Sequence, residues 1–116
     1  MIQAKELRIG NIVYNNLGTR HEPVHTYLLL DSLNYDMRLL DPIPLTEDML
    51  LKCGFVVIAN YHPEGKTYQF DDFTITEHYN YLSYKGQRLG NKYVQSLHTL
   101  QNIYYCITGE ELNVEL

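Results

Sequence analysis

Residues 55–84, FVVIANYHPEGKTYQFDDFTITEHYNYLSY, decide the fold class. Four β-prone runs, Phe55–Tyr61, Lys66–Phe70, Phe73–Glu77 and Tyr79–Tyr84, follow one another with short connections. His62-Pro63-Glu64-Gly65 supplies turn chemistry for the first connection and Asp71-Asp72 for the second. Connections this short cannot cross over to a parallel neighbour, so the stretch predicts an antiparallel meander. Five of the chain's 11 tyrosines, Tyr61, Tyr68, Tyr79, Tyr81 and Tyr84, fall in this stretch, against 3 Phe and no Trp overall. Tyr buries a ring while its hydroxyl stays wet or bonded, which suits a half-exposed sheet and an interface alike.

Beyond the meander, Tyr93, Leu97, Leu100, Tyr104 and Ile107 recur at spacings of four and three, an apolar stripe along one side of a helix. Gly90-Asn91 offers a cap at its start and Gly109 a stop at its end. The opposite side carries Gln95, His98, Asn102 and Tyr105, and no charged residue occurs between Lys92 and Glu110. A helix facing only water normally carries Lys and Glu there. That side is therefore covered by other parts of the same chain, or it meets a partner.

Ahead of the meander, Thr46 reads as an N-cap with Glu47 and Asp48 in the first turn, where the helix dipole favours carboxylates. Met49, Leu50 and Leu51 give an apolar side, and Gly54 ends a helix of barely two turns. The rigid Asp41-Pro42-Ile43-Pro44 segment precedes it. Further upstream lies a Gly10-Asn11 corner leading into a β-prone run, with Asn15-Asn16-Leu17-Gly18 as a turn. Short strands follow over Val24–Leu30 and Asp36–Leu40. Three short strands opening on an apolar-Gly-Asn-x-Val corner suggest an SH3-like set. The expected architecture is α+β and a single domain over 1–116. In it, residues 1–41 form the SH3-like strand module, and residues 42–116 hold a short helix and a meander packed on the C-terminal helix.

Composition excludes several functions. A chain of 116 residues, 45% hydrophobic and 20% charged, is a soluble globular domain that needs neither disulfide nor metal to fold. Its net charge of −5 argues against a phosphate-binding surface spread over the whole molecule. Its 14 carboxylates are scattered in sequence, which disfavours an acidic mimic of DNA. No signal-peptide pattern and no run of spanning length occurs, and two free cysteines fit a reducing cytoplasm. The expected location is cytoplasmic, without membrane contact.

The motifs carry little chemistry. His21-Glu22-Pro23-Val24-His25 matches H-E-x-x-H, whose zinc chemistry requires a helix. Pro23 disrupts a helix, and on a strand residues four apart lie roughly 13 Å from each other. Cys106 and His98, eight residues apart, would sit about 12 Å apart along a helix and cannot form a dyad. Cys53 falls at a helix C-terminus, where the dipole opposes a thiolate. Asp71-Asp72 and Glu110-Glu111 make no acid/base pair, because sequence neighbours point apart. No catalytic residue, metal ligand or cofactor is expected. The loop from Lys85 to Lys92 gathers three of nine basic residues around Gly86 and Gly90, ahead of the helix. It could meet an anion or nucleic acid through Lys85, Arg88 and Lys92, with Tyr81 or Tyr84 stacking on bases.

Three stretches carry a resemblance. They are Ala4-Lys5-Glu6-Leu7-Arg8-Ile9-Gly10-Asn11, then Pro42-Ile43-Pro44-Leu45-Thr46-Glu47 through Leu50-Leu51-Lys52-Cys53-Gly54-Phe55, and finally Leu97-His98 through Leu100-Gln101-Asn102 to Thr108-Gly109-Glu110-Glu111-Leu112. Together, over a little more than a third of the chain, they resemble small uncharacterised proteins of Bacteroidetes and of their phages and mobile elements. The resemblance implies a bacterial or phage cytoplasmic setting and an accessory role. It assigns no activity or site residue.

Two expectations about function follow. One is a non-catalytic module that binds another protein, or itself, through Gln95, His98, Asn102 and Tyr105 together with exposed meander tyrosines. It requires that Gln95, His98 and Asn102 not all be buried within the chain. The other is nucleic-acid binding by Tyr81, Tyr84, Lys85, Arg88 and Lys92, with affinity that falls steeply with salt.

Overall fold

A computed structural model of the chain describes residues 2, 6–16, 18, 25–32, 35–61, 65–76, 81–89 and 94–116, with the side chains of all but 61 and 81. In chain order the elements are β1 (Ile12–Asn16), β2 (His25–Leu29), β3 (Leu40–Asp41), α1 (Glu47–Lys52), β4 (Val56–Tyr61), β5 (Gly65–Phe70), β6 (Phe73–Thr76), β7 (Tyr81–Tyr84), β8 (Gln87–Arg88) and α2 (Leu97–Thr108). The fold is α+β, with two antiparallel sheets and a C-terminal helix. Contacts divide the chain into two units, Met1–Pro44 with Ser96–Leu112 and Leu45–Gln95 with Asn113–Leu116. None of the described helices is long and apolar enough to cross a membrane.

The first unit holds a three-stranded sheet in the order β2-β1-β3. Alternation along β1 sends Val13 inward, fully buried, and leaves Tyr14 on the other face, opposite Tyr27 of β2 and Asp41 of β3. Ile2, Val13, Leu30 and Leu40 form the core, with Leu7, Leu28, Tyr35 and Met37 packed on it. The strand expected over Asp36–Leu40 is instead a 3-10 turn, Met37–Leu39, leading into β3. Asp36 caps that turn, its carboxylate accepting the Arg38 N–H at 3.1 Å and pairing with the Arg38 guanidinium. A side chain that satisfies backbone this locally draws the chain away from an extended ladder.

The C-terminal helix differs from expectation in two respects. It begins at Leu97, with Ser96 as N-cap. Just before it the backbone is extended: Ile43 C=O accepts the Leu97 N–H at 2.9 Å, and Gln95 C=O accepts the Leu45 N–H at 3.1 Å. Those strand-like bonds replace the helical turn that periodicity suggested. Gly90, Asn91, Lys92 and Tyr93 lie outside the described residues. The helix also belongs with the N-terminal strands, where it packs against β1, whereas the sequence reading grouped it with the meander as part of 42–116. At its far end Gly109 takes φ +75° and returns its N–H to Tyr105 C=O, the left-handed stop the sequence indicates.

In the second unit α1 forms as its caps require. Thr46 Oγ1 accepts the Met49 N–H at 3.3 Å. At the other end Gly54, at φ +94°, donates to Leu51 C=O and Phe55 donates to Leu50 C=O. This is the Schellman arrangement, with buried Leu50 and Phe55 at its hydrophobic positions. The meander is an antiparallel sheet in the order β4-β5-β6-β7-β8. Its register aligns Val57, Tyr68, Ile75 and Leu82 in one row across β4 to β7. The last three are 1% exposed, as the core of such a sheet should be. Strand β8 was not foreseen. Lys85 (φ +51°) and Gly86 (φ +82°) turn the chain back on β7 with the two successive positive φ values of a tight hairpin. Glu77 and Tyr79, expected in strands, and the turn residues His62, Pro63 and Glu64 lie outside the described residues.

Candidate functional site

The polar side of α2 is occupied by the N-terminal segment of its own unit. Gln101, 1% exposed, reads the backbone of the Gly10 corner in both directions: its Oε1 accepts the Ile12 N–H at 2.8 Å and its Nε2 donates to Gly10 C=O at 3.2 Å. Asn11, fully buried, accepts the Arg8 N–H on its Oδ1 and donates from its Nδ2 to Asn102 Oδ1, both at 2.8 Å. Asn102 Oδ1 also accepts from Arg8 Nε at 3.1 Å, and Asn102 Nδ2 donates to Glu6 C=O at 2.8 Å. Arg8 lies over the Tyr105 ring at 4.3 Å and forks onto both carboxylate oxygens of Glu111. A planar guanidinium satisfies stacking and bidentate pairing together, as an ammonium could not.

His98 is 2% exposed. Its Nε2 lies 3.3 Å from Glu6 Oε2, and its Nδ1 is buried with no hydrogen-bond partner among the described residues. Of the four residues expected at an interface, His98 is thus buried and Asn102 is half-buried with its amide engaged. Gln95 and Tyr105 are exposed. The absence of charge along this side of the helix reflects cover from the same chain over His98, Gln101 and Asn102. Sequence reasoning missed Arg8, Asn11, Gln101 and Glu111. The available signal was Gln101, a polar residue four residues after Leu97, at the border between the apolar stripe and the polar side.

The basic segment is a hairpin. Lys85 sits at its tip and Arg88 on β8, both exposed, and α2 starts at Leu97. Tyr84 packs against Phe73, ring centroids 4.8 Å apart, with Lys85 Nζ 5.4 Å from the Tyr84 ring. Tyr84 itself is half-buried. Lys92 and the Tyr81 side chain lie outside the described residues.

His21 to Val24 also lie outside the described residues. His25 is on β2, a strand as read from Pro23; its Nε2 is 2.9 Å from Asp41 Oδ2, and its ring stacks on Tyr14 at 4.7 Å. Among the described residues no group of three or more His, Cys, Asp or Glu could hold a metal ion. Both cysteines are free. Burial pushes the Cys53 thiol up to about 12, far from a thiolate at neutral pH.

Among the exposed apolar side chains, which include Leu29, Tyr105 and Ile107, three are consecutive on one strand. Strand β4 is an edge of its sheet, and Val56, Val57 and Ile58 are 57%, 42% and 51% exposed. The β4–β5 register slips between Val57 and Ala59, leaving Ile58 without a cross-strand partner on β5. Compared with family models, curated proteins and solved structures, the chain matches none.

Proposed function

We propose that the chain is a non-catalytic protein-interaction module, an accessory protein of bacterial or phage cytoplasm, and that its binding element is the uncovered edge of β4 rather than the side of α2. One observation carries this reading: three consecutive apolar residues stand exposed on an edge strand that bears no charge from Val56 to Tyr61. Natural sheets protect such edges with Lys, Pro or inward-pointing charge, because an open row of backbone donors and acceptors recruits another strand. On this reading the Arg8, Asn11, Gln101 and Asn102 cluster is scaffold. The N-terminal strands are read as an SH3-like set on the strength of the Gly10-Asn11 corner and the β2-β1-β3 order. The free thiols support the cytoplasmic setting.

The test is a pull-down from bacterial lysate with tagged full chain and its Ile58→Lys variant, each with and without nuclease. Proteins retained through nuclease treatment and lost with Ile58→Lys are expected. Retention that vanishes with nuclease but ignores Ile58→Lys would move the function to nucleic acid and to Lys85 and Arg88.

A further inference from the structure

We draw no further inference here: the strongest candidate, the part-exposed aromatic row that His25, Tyr14 and Tyr27 form beside Asp41 on the three-stranded sheet, carries none, because nothing in the structure shows what covers it.

Discussion

Replacing Gln101 with leucine separates a structural role for the α2 cluster from a binding role. Leucine keeps the side chain's approximate volume and raises helix propensity slightly, so packing changes little. What it removes is specific: the Ile12 N–H and the Gly10 C=O each lose their partner. Ile12 is 8% exposed, so its N–H has no easy route to water and carries the desolvation cost of an unmade bond, about 1–3 kcal/mol. Gly10 is half-buried, and its carbonyl is partly recovered by solvent, for roughly another 0.5–1 kcal/mol. The sum is about 1.5–4 kcal/mol. Urea unfolding should show the midpoint falling by roughly 1–3 M with an unchanged slope, and the thermal midpoint falling by about 6–16 °C. Gln95→Leu, at an exposed position, should cost less than about 0.5 kcal/mol. A Gln101→Leu chain as stable as Gln95→Leu would refute the claim that this cluster holds the N-terminal corner on the helix.

Other outcomes follow from the same geometry. A thiol reagent near pH 7.5 should label the exposed Cys106 at once and the buried Cys53 only on unfolding, counted by mass spectrometry. Burial raises the Cys53 thiol from 9.0 to about 12, so the unfolded chain loses that proton first. The stability Cys53 contributes is therefore intact below pH 9 and declines between pH 9 and 12, by up to about 4 kcal/mol, a component that Cys53→Ala should abolish in alkaline unfolding curves. Gly54→Ala puts a Cβ within 2.9 Å of the Phe70 ring at φ +94°, and calorimetry should record a loss of about 2–4 kcal/mol. The Arg38 guanidinium and N–H hold the Asp36 carboxyl below its ordinary value of 3.8. Its support for the 3-10 turn is therefore present above pH 3.8 and lost as pH falls through the lowered value. An NMR titration should place the midpoint under 3.8 and see it rise in Arg38→Ala.

Local signals in the sequence determined a good part of this protein. Thr46 and Gly54 delimit α1 because a cap and a left-handed stop act within one turn of chain, and the short turns of 55–84 leave no alternative to an antiparallel meander. The Gly109 stop and the strand at His25 were legible for the same reason. Tertiary structure decided what depends on partners distant in sequence. The 3.6-residue period identifies an apolar side for α2 but cannot say what covers the other. Residues 6–12 cover His98, Gln101 and Asn102, about ninety positions away. The helix's union with the N-terminal strands depends on that same long-range bonding. So does its late start, because the backbone bonds linking Ile43 and Leu45 to Leu97 and Gln95 join segments whose pairing no local propensity encodes. The exposure of Val56, Val57 and Ile58 was equally hidden. An apolar run reads alike at the centre of a sheet and at its edge, and only the strand order tells them apart.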